Sequence, residues 1–241
     1  MTHRYLSLLD WSLIPLSRLS MSSPNTAPTA NGPARYSHVL FNDATLSDVR
    51  IEYGTDQHIF GHKAIPVRQS EYFFRAFTGQ FPVASSESIS LRDEDDDPKA
   101  IYAMIRHLYD LPYDQSTILF PNSLNTDLMF HVNVFEAADK YDVPSLRALV
   151  VGKIPGLMKQ TWSTNQEEFC KAIRRLCAPD AVVFADKSLQ ASAASFCSTY
   201  ISTLIKNDMF VQMLEEGEPF AGRLLTAVLK GQTSPFKKSP Y

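Results

Sequence analysis

Along Leu46–Phe77 the spacing of apolar and polar positions changes period. Val49, Ile51 and Tyr53 alternate with Arg50 and Glu52, the two-residue period of a strand with one buried face. Gly54, Thr55 and Asp56 form a turn cluster, and Gln57–Phe60 returns as a second short strand, so the pair reads as a hairpin. Ser70 then stands before Glu71, Tyr72, Phe73, Phe74 and Phe77, a hydroxyl cap opening a short helix with aromatics at i, i+3 and i+4. These four aromatics cannot all be hydrated cheaply, since burying one large side chain contributes roughly 1.5–3 kcal/mol. They mark core or interface.

The rest of the chain reads mostly as helix. An apolar cluster, Tyr36–Phe41, precedes the first strand. Residues 78–88, with Pro82, read as a loop into a short strand, Ser88–Leu91. The acidic run Asp93–Asp97 ends at Pro98. Metal binding fits its spacing poorly, because consecutive carboxylates point apart and no glycine-turned loop with a distal glutamate follows. Capping fits better: Asp97 as N-cap, Pro98 at the first helical position, and negative charge at the positive end of the helix dipole. Ile101, Met104, Ile105, Leu108 and Tyr109 form the stripe of that helix, and an irregular connection over 114–126 follows. Asp127 caps a helix bearing Leu128, Val132, Phe135 and Ala138, and Pro144 opens another bearing Leu146, Leu149 and Val150. From Gln166 onward four stripes succeed one another: Phe169–Cys177, Leu189–Leu204, Phe210–Leu214 and Phe220–Leu229, with Gly231 as the stop.

Several of these segments carry a family resemblance. Ser47-Asp48-Val49, Phe60-x-His62-Lys63, Ser70-x-x-Phe73, Ile89–Asp93, His107–Asp110 and Val134–Val143 with its Ala138-Asp139-Lys140-Tyr141 resemble, in order, the BTB (POZ) domain, a protein-interaction module. The resemblance implies an α+β fold, a small, mostly antiparallel sheet packed with a cluster of helices, followed by an all-helical extension. It implies self-association, with the region before the first strand helping to form the dimer. His62 is implied to be the family's structural histidine. Asp48 and Lys63 are implied to meet in a charged pocket near the dimer groove, although both residues simply shoring up the fold is an equal alternative. Tyr72, Phe73, Phe77 and Phe81 complete the candidate partner-binding and dimer-pocket set. Family members that bind a cullin scaffold use the helix and loop after the aromatic anchor, here Phe77–Glu87, with a hydrophobic residue two before an acid; only Ser85 stands there. Pro66 replaces the usual leucine, so its helix is expected to be shortened or to begin at the proline.

Boundaries follow from pattern and resemblance together: a disordered leader over 1–35, the BTB/POZ domain over 36–150, a helical extension over 151–231 and a frayed tail over 232–241. Within the leader, residues 1–20 are apolar with Arg4 and Arg18, but Asp10 and Pro15 interrupt the run and no small-residue cleavage site follows, a poor fit to a secretory signal. A mitochondrial presequence and a start at Met21 remain alternatives. Residues 21–35 contain no large apolar side chain to offset chain entropy.

Composition narrows the function classes. The 241 residues are 44% hydrophobic and 20% charged, ordinary for a globular chain. A net charge of −3 and a pI near 6.1 give no footprint for direct nucleic-acid binding, where a domain pI above about 9 is expected. No run of 18 apolar residues is present, so no membrane span is expected. Cys170, Cys177 and Cys197 show no C-x-x-C spacing and fit core thiols in a reducing compartment, the cytoplasm or the nucleus.

Candidate chemistry is thin. His58 and His62 straddle a strand and a turn, where a spacing of four does not bring them together on a metal. Gly217-x-x-x-x-Gly222-Arg223 has phosphate-loop spacing without the lysine or the hydroxyl. No catalytic constellation, cofactor or metal site is expected, and the chain reads as a non-enzyme. Two roles follow from the resemblance: a homodimeric substrate adaptor of a cullin-RING ubiquitin ligase, or an oligomerising scaffold or transcriptional co-regulator without a ligase link. Its partners would be a second copy of itself, a cullin and substrate proteins, or other proteins.

Overall fold

Strand formation follows the two-residue alternation. β1 (Val49–Tyr53) turns Val49, Ile51 and Tyr53 inward and Arg50 and Glu52 outward. Gly54, with φ +54°, supplies the left-handed turn that other residues enter at a cost. β2 (Gln57–Gly61) then pairs antiparallel with β1, setting Ile51 opposite Ile59. The third strand, β3 (Ser88–Leu91), lies on the other side of β1 and runs parallel to it, with Ile51 opposite Ile89. The sheet order is therefore β2-β1-β3, one antiparallel and one parallel ladder. β2 already returns the chain to the end of the sheet where β1 begins, and the helical connection from Gly61 to Ser88 carries it past β1 to the opposite edge, so β3 enters parallel to β1.

The computed structural model describes residues 37–115, 127–177 and 183–216. The leader, most of the 114–126 connection, the break after Cys177 and that residue's packing, the Gly217/Gly222 spacing, the Phe220–Leu229 stripe and the tail lie outside the described residues.

In the connection from β2 to β3, Pro66 begins a single 3-10 turn, Pro66–Arg68, as its fixed φ and missing N–H favour. α1 (Glu71–Thr78) follows, then a one-turn helix, α2 (Pro82–Ser85), inside what the pattern reads as loop. α3 (Pro98–Leu108) starts where the acidic run predicts: Asp97 accepts from the Ala100 N–H at 2.8 Å. α4 (Leu128–Lys140) is capped twice. Asp127 accepts from Phe130 N–H at 2.6 Å, and Glu168, forty residues on, accepts from Leu128 N–H at 3.0 Å.

α5 (Pro144–Thr164) is the longest helix among the described residues and runs straight through position 150. Its buried seam is Leu146, Val150, Ile154, Met158 and Thr161, so the same stripe serves the domain and the extension. α6 (Gln166–Cys177) and α7 (Ser188–Thr199) pack along it, α8 (Ile201–Leu204) adjoins α7, and α9 (Asp208–Glu215) packs on α6 with the Phe210 ring edge-on to Trp162 of α5. The single stripe expected over Leu189–Leu204 is broken at Tyr200, where Thr199 Oγ1 has bonded back to the Ser195 carbonyl at 2.9 Å and a β-branched stretch follows. One hydrophobic cluster extends from Val49 to Met213. Among the described residues no helix is long and apolar enough to cross a membrane.

Polar groups are also buried where α3, α4 and α5 meet. His131 Nδ1 lies 2.8 Å from the Tyr113 hydroxyl, both groups being buried. Loss of hydration pushes the His131 imidazole down to about 4 and the Tyr113 phenol up. A folded-state pKa below the unfolded value means that the unfolded chain takes the proton first. The stability His131 contributes is thus whole above about pH 6.5 and falls as pH drops toward about 4, by about 3 kcal/mol in all. His107, also pulled down by burial, adds in the same direction. Urea unfolding at pH 7 and pH 5 is expected to give a lower midpoint at pH 5, and His131→Gln is expected to flatten that difference; an unchanged slope in the variant would remove His131 as its source.

Candidate functional site

Of the expected partner-binding residues, Tyr72, Phe73 and Phe77 lie on α1, Phe81 stands at the cap of α2, His62 and Lys63 follow β2, and Asp48 precedes β1. Ser70 sets the position of α1. Its hydroxyl oxygen accepts from Phe73 N–H at 3.1 Å and its proton goes to the Tyr141 carbonyl at 2.6 Å, tying the start of α1 to the end of α4. Phe73 stacks on Phe77 and Tyr141, with ring centroids 5.8 and 6.2 Å apart, and Tyr72 meets Tyr141 edge-on at 5.0 Å. The Tyr141 hydroxyl donates to Asp96 at 2.6 Å, and the same carboxylate accepts from Lys140 at 2.9 Å and from Asp93 N–H at 3.0 Å. Burial opposes the Lys140 charge, but the Asp93 and Asp96 carboxylates outweigh it and hold the ammonium above its ordinary range. The acidic run therefore does more than cap α3; its fourth carboxylate anchors the Lys140-Tyr141 step. Nothing in the local pattern marks that role, because its partners lie 44 and 45 residues away.

The aromatics divide by facing. Phe73 and Phe77 are core, whereas Tyr72, Phe74 and Phe81 keep 37%, 48% and 63% of their surface exposed. Phe81 is held over Gly79, where an added Cβ would stand 3.2 Å from its ring and 2.5 Å from the Arg75 carbonyl oxygen. Tyr72, Ala76, Phe81 and Val83 line an open groove of about 480 Å³, with Glu71, Arg75 and Asp142 on its border. Glu71 and Arg75 pair with each other at 2.9 Å, and Asp142 accepts from Arg147 at 3.1 Å.

His62 is a satisfied buried group. Nδ1 lies 3.0 Å from the Tyr109 hydroxyl, Nε2 lies 2.8 Å from the Thr45 carbonyl, and its main-chain N–H also donates to Tyr109. His58 is exposed on the outer sheet face, against Phe60. Among the described residues no group of three or more His, Cys, Asp or Glu could hold a metal ion.

Asp48 and Lys63 are adjacent, but they make no ion pair. Asp48 accepts from the Lys63 main-chain N–H at 2.8 Å, while the Lys63 ammonium donates to the carbonyls of Ala84 and Ser86 at 2.9 and 3.1 Å and lies 5.6 Å from the Phe77 ring centre. The carbonyls at the end of α2 have no partners within the helix, and a cation there satisfies them. Lys63 thus fixes α2, which the sequence pattern does not reveal, and through α2 the groove beside Phe81. Asp48 lines a separate groove of about 490 Å³ with Ser47, Arg50, Phe60 and Glu87.

Comparison with family models decides the affiliation: residues 38–155 match the BTB/POZ domain. This chain carries a BTB/POZ domain. No curated protein matches it. The BTB domain, a protein-interaction module, spans from the 3-10 turn Ser37–Leu40 into the middle of α5, and the helices that follow complete the same core.

Replacing the α1 clamp tests this account of the BTB core. Ser70→Ala removes the cap and leaves the buried Tyr141 carbonyl without its donor, so a loss of about 2–3 kcal/mol in unfolding free energy is expected by urea titration. A loss below about 0.5 kcal/mol, the range of an ordinary surface substitution, would contradict it.

Proposed function

We propose that the BTB domain self-associates and recruits a partner protein through the α1–α2 face, with a cullin scaffold as the partner and the chain as substrate adaptor. The observation that carries the recruiting face is the exposure of two aromatics, Tyr72 and Phe81, along an open groove that the one-turn helix α2 borders through Val83, with Phe74 exposed elsewhere on α1. Large rigid aromatics on a fixed backbone lose little entropy on docking and supply most of the energy of protein interfaces. Fold stability does not account for Phe81, whose ring is mostly in solvent. Capture on an immobilised cullin scaffold is expected for the wild-type chain and weakened at least about tenfold by Phe81→Ala. Equal capture of both proteins would sink the assignment of this face.

Ser85 supports a second reading, an oligomerising scaffold or transcriptional co-regulator with no ligase link. Its exposed hydroxyl stands two before Glu87, where the resemblance puts a hydrophobic residue in cullin-binding members. Absence of cullin binding in the same assay, with self-association intact, selects this reading.

Self-association draws support from the segment ahead of β1. Leu46 keeps 80% of its surface exposed and holds φ +60°, a conformation that costs a non-glycine residue on the order of 1–2 kcal/mol, and Val39 nearby in sequence is also exposed. An apolar side chain held in strain and in water gains from a contact outside its own fold. Sedimentation velocity over a range of concentrations is expected to show dimers that Leu46→Asp shifts toward monomer; a strict monomer at every concentration overturns the reading.

A further inference from the structure

Glu94 and Asp95 of the acidic run are not used by the fold. Both are exposed and have no side-chain partner among the described residues, whereas Asp96 and Asp97 are bound as described. The two free carboxylates border a cleft of about 880 Å³ between the run, α4 and the segment entering α7. Its lining includes Met129, Ala137 and Phe184, and Val183, 88% exposed, stands beside it. Two further lining carboxylates are already neutralised or bound. Glu136 takes a two-pronged pair from Arg175 at 2.9 and 2.8 Å, and Asp139 accepts from the N–H groups of Ala185 and Asp186 at 2.6 and 3.1 Å. With six lining carboxylates against Lys140 and Arg175, the cleft has a formal excess of four negative charges, more than the −3 of the whole chain. Arg175 and Phe184 lie beyond residue 155, so the cleft needs both the BTB domain and the helices after it.

We infer that this cleft is a docking site for a partner-protein segment that carries two or more lysine or arginine side chains next to an aliphatic one. The charge complementarity is specific in position: the uncompensated carboxylates are Glu94 and Asp95, and the apolar surface beside them is Val183, Met129 and the Phe184 edge. A metal ion is the poorer occupant, because the carboxylates not already bound number two and are consecutive, which points them apart. Basic side chains reach separated carboxylates on flexible stems, and an aliphatic neighbour takes the apolar surface out of water. The site is separate from the α1–α2 face and does not depend on what that face binds.

The test uses the full chain and a fluorescein-labelled peptide of repeating Lys-Arg-Leu, read by anisotropy. Saturable binding is expected, weakening steeply as sodium chloride rises through the physiological range. Glu94→Lys with Asp95→Lys is expected to weaken it about tenfold or more, while the urea midpoint shifts only by the small effect of charge near the start of α3, since neither residue has a side-chain partner in the fold. A control with the same change in net charge, Asp208→Lys with Glu215→Lys at exposed positions of α9 that do not line the cleft, is expected to bind as the wild type does. Three outcomes overturn the inference: equal binding by the cleft variant and wild type, equal loss in the control, or equal binding of a lysine-only peptide, which would reduce the effect to general charge attraction.

Discussion

The hydrogen bond from Ser70 to the Tyr141 carbonyl is the constraint on which the arrangement of the domain depends. It joins two segments 71 residues apart and does so at helix ends, where main-chain groups otherwise lack partners. With the clamp made, Phe73 and Tyr141 stack, Asp96 closes on the Tyr141 hydroxyl, and the acidic run is pulled against α4. Tyr72 and Phe74 are turned outward by the same choice, because a helix that buries Phe73 and Phe77 must present its other sides to solvent. The exposed aromatic face is thus the complement of the buried one.

A second constraint lies in α5. Its seam from Leu146 to Thr161 packs against the domain at one end and the extension at the other, and Arg147 ties the ends together through Asp139, Asp142 and Asp186 at 3.7, 3.1 and 3.3 Å. Glu168 of the extension caps α4 of the domain, and Arg175 pairs with Glu136. Such links are made only when both parts are folded, and they lie at the edge of the one hydrophobic cluster that spans both parts.

Much of this was legible locally. Alternation marked β1 and β2, Ser70, Asp97 and Asp127 marked helix starts, and Pro66 began its turn as proline geometry dictates, since each signal acts within about four residues. Tyr72, Phe73, Phe74 and Phe77 were legible as an aromatic cluster, but which of them face outward depends on the Tyr141 contact and was not. The parallel pairing of β3 follows from β2 having brought the chain back to the start of β1, and a four-residue strand carries no mark of its partner's direction. Lys63 was legible as an informative charge, yet its ammonium serves α2, a turn too short for periodicity to expose. Asp96 reads as one acid among five until Lys140 and Tyr141 arrive from far along the chain.

The unbroken course of α5 has a mechanical meaning. At about 1.5 Å per residue its 21 residues make a strut of about 30 Å, embedded at its head in the interaction domain and at its foot among α6 and α7. Pro155 inside the helix removes a main-chain donor, and Gly152 and Gly156 lie close to it, so the weakest step of the strut is near its middle, and a load taken up by the foot bends the helix there before it reorients the head.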